Sequence, residues 1–253
     1  MHRVLFQIGS FSVYSYGVCI AVAFLVCTLL IRRDCIRTEI PFDKVLDCFL
    51  WVLIGGIVGG RLLFVCTTYK YFLQFPLKIF AMRDGGMAFQ GALFAGVVVG
   101  VIACWRKKIS FAKAADLIAP YIALGQAIGR VGCFLNGCCY GKVARSGFCV
   151  MFPGESCMRI PVQAYSAIGL LCIYLVLLRV RDSRLFKGAT ILMYMIIYSG
   201  FRFFIEFFRG DNLSLIFGIR LPQIISVIVF IISVIFFMIL LGKERLKNDR
   251  TEI

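Results

Sequence analysis

The chain has 253 residues, of which 61% are hydrophobic and only 16% are charged. Soluble domains of this size carry more polar surface, so the composition excludes an ordinary water-soluble globular protein. The net charge of +15 does not indicate nucleic acid as a partner, because most Lys and Arg residues stand in short segments beside long apolar runs, as in membrane proteins that contact anionic lipid.

Seven apolar segments follow one another along the chain, each close to the ~20 residues that a helix needs to cross the hydrocarbon layer. They predict an all-α polytopic membrane protein that forms one domain over residues 1–253. The segments are 12–31, 45–66, 86–105, 114–134, 162–178, 188–208 and 217–241.

The loops between these segments alternate in their content of basic residues. Sixteen of the 28 Lys and Arg residues lie on one side of the predicted membrane, and nine lie on the other. Loops that are rich in Lys and Arg face the cytoplasm. The count therefore predicts an outside N-terminus and a cytoplasmic C-terminus.

The counts of sixteen and nine leave three of the 28 basic residues, Arg61, Arg130 and Arg202, and each of these falls inside a predicted span. An arginine at the centre of a spanning helix costs at least ~2.5–3.5 kcal/mol, so three of them point to a shared reason. Each lies towards the outer end of a segment that runs from inside to outside. We expect them to converge in the outer leaflet around an anion, because the guanidinium fork fits phosphate.

Further polar residues are predicted at the same depth. Glu206 follows Arg202 by four residues, so the two share a helix face and can pair, and Arg209 continues that face. The outer ends of segments one, three and four add Tyr16, Gln90 and Asn136. The alternative interpretation is a set of ion pairs that only hold the helices together, with Glu206 neutralising Arg202.

Glycines cluster at two places with different predicted roles. Residues 129–141 (GRVGCFLNGCCYG) contain four glycines, which we expect to break the fourth helix and bring its backbone close to a ligand. The glycines of residues 55–60 predict close packing between helices instead.

Five cysteines fall in this stretch or in the outer loop that follows it: Cys133, Cys138, Cys139, Cys149 and Cys157. We do not expect a metal site, because paired C-x₂-C spacing is missing and the single histidine, His2, is far along the chain. A disulfide among the five and a covalent thiol nucleophile are the alternatives, although no histidine stands near to activate a thiol.

Motifs along nearly the whole chain resemble those of the bacterial prolipoprotein diacylglyceryl transferase family. They appear in one order and are specific together. The matching stretches are 16–17 (YG), 59–62 (GGRL), 84–91 (DGGMAFQG), 116–120 (DLIAP), 124–141 (LGQAIGRVGCFLNGCCYG), 159–165 (RIPVQAY), 201–209 (FRFFIEFFR) and 223–226 (QIIS).

This resemblance implies an inner-membrane enzyme without a cofactor, with its active site towards the outer leaflet. The family transfers a diacylglyceryl group from phosphatidylglycerol to the lipobox cysteine of a lipoprotein precursor, leaving a thioether and releasing glycerol phosphate. By resemblance, Arg130 and Arg202 would hold the phosphate and Glu206 would orient Arg202, as the catalytic residues. The phosphatidylglycerol-binding residues would be Arg130, Tyr16, Asn136, Gly141, Gln90, Arg61 and Arg209.

The chain departs from the family pattern at several motif positions. Gln90 stands where many members have His or Tyr and cannot act as a base, and Ile160 replaces the His of an Arg-His-Pro motif. Cys133 and Cys138 replace a usual Asn and Glu, although some members carry the same cysteine-rich form. A phosphatidylglycerol-binding paralogue with another acceptor is therefore an alternative. A lipid or anion transporter is disfavoured, because no internal repeat is evident.

Overall fold

The computed structural model describes residues 4–8, 11–38, 40–81, 85–144, 148–152, 156–183, 185–210, 215–216 and 219–251. Asp84, the first residue of the predicted motif at residues 84–91, lies outside them. Within these residues, seven helices are long and apolar enough to cross a membrane, which confirms the predicted all-α polytopic fold.

The candidate spans agree with the predicted segments, apart from several residues at some ends. They are α1 (Ser15–Thr38), α2 (Phe42–Thr67), α4 (Phe89–Arg106), α5 (Phe111–Asn136), α6 (Val162–Asp182), α7 (Ala189–Ile205, continued by a 3₁₀ turn Glu206–Phe208) and α8 (Leu221–Thr251). A short helix α3 (Tyr69–Gln74) and a 3₁₀ helix (Pro76–Phe80) follow α2. The most apolar window, in α8, has a mean hydropathy of 3.4 and is only 11% buried, as suits a surface that faces lipid.

Three antiparallel hairpins accompany the helices in the described part of the chain and were not predicted. Strand β1 (Val4–Ile8) pairs with β2 (Phe11–Tyr14), β3 (Val150–Met151) with β4 (Met158–Arg159), and β5 (Leu215–Ile216) with β6 (Ile219–Arg220). Strands β3 to β6 have only two residues each, which is too short for hydrophobic alternation, so sequence periodicity has no signal for them.

The chain forms two compact units, of which the first contains residues 1–33 and 115–253. Its core lies between α5, α6 and α7, where small residues such as Ala119 and Ala123 pack with Leu170 and Leu177. The carboxylate of Asp116, near the start of α5, accepts hydrogen bonds from the backbone N–H groups of Gly188 (2.6 Å) and Ile191 (3.0 Å). It thereby satisfies two donors at the N-terminus of α7 and pins the two helices together.

The second unit contains residues 34–114, in which α2 packs against α4. A Cβ atom on Gly55 would lie 2.7 Å from Val99 Cγ2, and one on Gly59 would lie 2.7 Å from the Gly91 carbonyl oxygen. Because no side chain fits there, the glycines allow the two backbones to approach closely. This confirms the packing role predicted for residues 55–60.

The prediction that the glycines of residues 129–141 break the fourth helix was wrong for Gly129 and Gly132. Helix α5 continues through both and ends at Asn136. Gly132 packs against α1, where an added Cβ would lie 2.9 Å from Cys19 Cβ and 3.3 Å from Tyr16 Cδ2. The helix ends only before Gly137, whose φ of 70° is left-handed.

Candidate active site

A fully buried carboxylate, that of Glu206, lies at the centre of the candidate site. It stands at the end of α7, where the helix tightens into a 3₁₀ turn. Arg202, one turn earlier, places Nη2 2.9 Å from Glu206 Oε2, so the predicted pairing on one helix face is present. A carboxylate with no exposed surface requires such partners, because burying an unpaired charge is costly.

Two more arginines approach the same carboxylate. Arg209 Nε lies 3.9 Å from Oε2, and Arg220 Nη1 lies 3.8 Å from Oε1. Arg220 Nη1 also donates hydrogen bonds to the backbone carbonyls of Glu206 (2.6 Å) and Arg209 (2.9 Å). Among the described residues, Glu206 thus supplies one negative charge to three guanidinium groups.

Backbone pairing connects this cluster to the segment after α5. Gly141 forms a β-bridge with Arg209, and the N–H of Lys142 donates to the Phe208 carbonyl at 2.9 Å. Gly141 is buried, and a Cβ atom there would lie 2.6 Å from Val162 Cγ2 and 2.8 Å from the Phe208 carbonyl oxygen. The predicted site residue Gly141 is therefore held against the end of α7 by close backbone contact.

Arg130 approaches the cluster from α5. It is half-buried, and its charge acts on Arg202 and on the Cys139 thiol. Tyr16, at the start of α1, lies within electrostatic range of Arg130. Asn136 is the last residue of α5, six residues beyond Arg130. The first unit therefore contains Arg130, Arg202, Glu206, Arg209, Tyr16, Asn136 and Gly141.

The last turn of α5 and the turn that follows it bring three thiols together beside these arginines. The sulfur atoms of Cys133, Cys138 and Cys139 all lie within 4.8 Å of one another. A hydrogen bond with the Cys133 thiol lowers the pKa of the Cys139 thiol to about 5, although burial opposes the shift. A hydrogen bond with Cys138 and the charges of Arg209 and Arg130 act in the same direction.

Two motif residues before and within α6 hold this turn from outside. The buried Gln163 donates from Nε2 to the Cys138 carbonyl at 2.7 Å. The guanidinium of Arg159 lies over the Tyr140 ring, 4.5 Å from its centroid, and its Nη1 donates to the Gly141 carbonyl at 3.4 Å. The motif at residues 159–165 therefore supports the turn through a stacked arginine and an amide.

Arg61 and Gln90 belong to the second unit. Arg61 is buried, and its guanidinium donates to five backbone carbonyls, those of Lys78, Ile79, Ala81, Gly85 and Gly86, over 2.6–3.2 Å. Gln90 is exposed in the first turn of α4. With its donors on carbonyls, Arg61 would have to exchange those bonds to contact a phosphate.

A family model described as prolipoprotein diacylglyceryl transferase matches residues 3–239 of the chain. The chain belongs to this family. The resemblance drawn from the motifs is thereby confirmed, and with it the assignment to a transferase family.

Relatives support the same assignment over almost the whole length of the chain. A protein of Clostridium perfringens named phosphatidylglycerol–prolipoprotein diacylglyceryl transferase 2 is 33% identical over 244 residues, which cover 94% of this chain and 95% of the relative. Proteins named phosphatidylglycerol–prolipoprotein diacylglyceryl transferase from Bacillus cytotoxicus and Finegoldia magna are 34% and 32% identical over 250 residues. These alignments cover 94% and 98% of this chain and 92% and 99% of the relatives. The names agree with the predicted donor and acceptor.

Sequence reasoning missed Arg220 as a member of the cluster and counted it only among the nine basic residues of the outer side. Its signal was a lone arginine three residues before Gln223, the first residue of the last motif. In the structure, the Arg220 N–H donates to Gln223 Oε1 at 3.0 Å, which ties the motif to the arginine. The gathering of three thiols was also missed, because their spacing is unlike that of paired metal ligands.

Proposed function

We propose that this chain transfers the diacylglyceryl group of phosphatidylglycerol to the lipobox cysteine of a lipoprotein precursor, and that both units act as one transferase domain over residues 1–253. The products are a thioether and glycerol phosphate. The observation that carries the proposal is the arginine cluster around Glu206, in a chain that belongs to this transferase family.

The reaction increases negative charge at the phosphate. A sulfur–carbon bond forms at the glyceryl carbon while the carbon–oxygen bond to phosphate breaks, and the bonding electrons go to the phosphate oxygen. A phosphodiester with one negative charge thereby becomes a phosphomonoester with up to two. Guanidinium groups that are already in place stabilise this charge without reorganisation, which lowers the barrier.

Arg130 and Arg202 are the proposed phosphate ligands. Arg202 is supported by its 2.9 Å ion pair with Glu206, which leaves the rest of its planar fork for an anion. Arg130 is supported by its electrostatic interaction with Arg202 and its half-buried position. Glu206 is then a positioning residue, which orients Arg202 together with Arg209 and Arg220.

The remaining predicted residues receive proposed roles around the head group. Tyr16, Asn136 and Gly141 line the pocket of the glycerol phosphate moiety, with Arg209 beside them. In the second unit, Gln90 contacts phosphatidylglycerol, and Arg61 acts indirectly by holding the backbone at residues 78–81 and 85–86. The enzyme lies in a bacterial inner membrane with its N-terminus outside and its active site towards the outer leaflet.

Reconstitution tests the proposal directly. The purified chain is placed in vesicles that contain phosphatidylglycerol, a lipobox peptide is added, and glycerol phosphate release and peptide mass are both measured. We expect equimolar release and a mass gain of one diacylglyceryl group. A peptide with Ser in place of the lipobox Cys, and vesicles without phosphatidylglycerol, are the controls.

Two outcomes would contradict parts of this proposal. No release from the wild type in the complete mixture rules out the transferase function. Release of glycerol phosphate without a change in peptide mass assigns the chain to a paralogue with another acceptor.

The orientation in the membrane is tested by a separate experiment. Single cysteines are placed at each end of α8, in a background with the native cysteines replaced, and are labelled with a membrane-impermeant thiol reagent.

A further inference from the structure

The last turn of α5 and the turn after it hold three thiols in an arrangement that the local backbone imposes. Gly137 and Cys139 both adopt left-handed conformations, with φ of 70° and 62°. A residue other than glycine rarely adopts this conformation, because its Cβ crowds the following carbonyl oxygen, so the surroundings must enforce it. Without it, the Cys139 side chain would leave the turn on another side.

Hydrogen bonds on both sides of the turn keep it in this form. The Cys138 N–H donates to the Cys133 carbonyl at 3.2 Å, and the Gly137 N–H donates to the Phe134 carbonyl at 3.2 Å. Gln163 holds the Cys138 carbonyl from α6. The strained backbone is therefore fixed from within the turn and from a neighbouring helix, as a preorganised ligand set requires.

The geometry of the sulfur atoms is close to that of a tetrahedral thiolate site. A zinc–sulfur bond of about 2.3 Å separates the ligand sulfurs by about 3.8 Å, and the three Sγ atoms already lie within 4.8 Å of one another. Thiolates are soft ligands that select zinc over magnesium or calcium. Catalytic zinc sites have three protein ligands and keep the fourth position for water or substrate.

The charge of the surrounding residues also favours a thiolate-bound zinc ion. Three thiolates around one Zn²⁺ carry a net charge of −1, and the thiols lie beside a cluster in which the guanidinium groups of Arg202, Arg209 and Arg220 approach Glu206. A thiolate–zinc centre would therefore add negative charge, not positive charge, beside these guanidinium groups.

We propose that Cys133, Cys138 and Cys139 bind one zinc ion, and that the fourth coordination position of this zinc takes the thiol of the acceptor cysteine. The acceptor loses its proton to water on binding and stays on the metal as a thiolate. Its sulfur then attacks the glyceryl carbon, the carbon–oxygen bond to phosphate breaks, and the oxidation state of zinc does not change. This second step rests on the proposed transferase function, whereas zinc binding does not.

A zinc site would explain how the acceptor thiol loses its proton although the family motif of this chain supplies no base. Gln90 stands where many members have a side chain that can accept a proton, and an amide cannot do so. A metal that binds the acceptor as a thiolate removes the need for a base at that position. The three cysteines then provide, through the metal, the deprotonation of the acceptor thiol that Gln90 cannot provide.

Metal binding is tested on the full chain, purified in detergent under reducing conditions. We expect one zinc per chain by elemental mass spectrometry, and a thiolate-to-metal charge-transfer absorption when Co²⁺ replaces zinc. Cys133→Ser, Cys138→Ser and Cys139→Ser should each weaken binding by more than the roughly 10–100-fold that loss of an outer partner costs. Cys157→Ser, at an exposed cysteine outside the cluster, is the matched control and should bind normally.

A second measurement uses the wild type alone, in case a cluster variant fails to fold. Zinc should protect Cys133, Cys138 and Cys139 from alkylation, as read by peptide mass spectrometry, and leave Cys157 reactive. Absence of protection, or a disulfide between two of the three in protein purified without reductant, overturns the proposal.

Turnover separates this proposal from the proposed function. Metal-free wild type should transfer slowly in the vesicle assay and recover with zinc. Full turnover without metal overturns the role of zinc and leaves the transferase function intact. If neither form turns over, the transferase function fails, while the protection assay still decides whether the zinc site exists.

Discussion

The guanidinium of Arg220 holds the segment of residues 206–209, which contains Glu206. Its Nη1 donates to the Glu206 backbone carbonyl at 2.6 Å and lies 3.8 Å from the carboxylate of the same residue. One guanidinium thus contacts both the main chain and the side chain of its partner. This relationship fixes where the buried carboxylate points and, through it, where Arg202 points.

Arg220→Gln should therefore lower both stability and activity. It removes two charge-assisted hydrogen bonds to carbonyls, each of which contributes about 1.5–3 kcal/mol. We expect a fall in the thermal midpoint in detergent and a fall in kcat in the vesicle assay. Arg245→Gln, on the exposed end of α8, is the control. Unchanged stability and activity in Arg220→Gln would show that Arg220 does not support the cluster.

Glu206→Gln should be more damaging, because it leaves the arginines without their buried counter-charge. Removing one partner of a buried ion pair costs about 3–5 kcal/mol. Thermal unfolding and glycerol phosphate release are the measurements. Asp47→Asn, which breaks a partly exposed pair with Lys107, should cost less than about 1 kcal/mol. Equal effects in the two variants would count against a positioning role for Glu206.

Arg202→Lys tests the fork of donors separately from the charge. Lysine keeps the positive charge but loses the planar pair of N–H groups that matches phosphate. We expect kcat to fall by about 10²–10³, as on removal of one transition-state donor, while the thermal midpoint changes little. Arg179→Lys, at an exposed position near the end of α6, should behave as the wild type. Full activity of Arg202→Lys would remove its proposed role.

Gly141→Ala should disrupt the contact between the turn and the end of α7. The new Cβ would lie 2.6 Å from Val162 Cγ2 and 2.7 Å from the Ile160 carbonyl oxygen, and overpacking of this kind costs about 1–3 kcal/mol. Gly242→Ala meets nothing within 4 Å and should be neutral or stabilising by up to about 1 kcal/mol. The comparison of the two thermal midpoints checks the prediction, which a neutral Gly141→Ala would contradict.

Arg61→Lys distinguishes a structural role from phosphate contact. Lysine cannot reach five carbonyls, so we expect a lower thermal midpoint and an unchanged KM for phosphatidylglycerol in the fraction that folds. Normal stability with a raised KM would instead show that Arg61 contacts the phosphate of phosphatidylglycerol. Lys70→Arg, at an exposed position in α3, serves as the reference.

The seven spans could be predicted because each is a run of about twenty apolar residues, and the pair Arg202–Glu206 because helical spacing places the two on one face. Arg220 could not, since nothing local shows that a loop arginine returns to the end of another helix. The thiol cluster depends on a left-handed Cys139, which residue type does not favour. Gly129 and Gly132 were misread because helices in a membrane use glycine for packing as well as for breaks.

The carboxylate of Asp116 sets a common reference point along helices α5 and α7. Arg130 stands fourteen residues beyond Asp116, and Arg202 stands fourteen residues beyond Gly188, whose N–H that carboxylate accepts. At about 1.5 Å per residue, both arginines lie about 21 Å along their helices from one shared point. The two helices therefore place their arginines at equal distances from one fixed contact. Substitutions along them are compatible with this alignment, but one deleted residue between anchor and arginine would turn that arginine by about 100° and separate the pair.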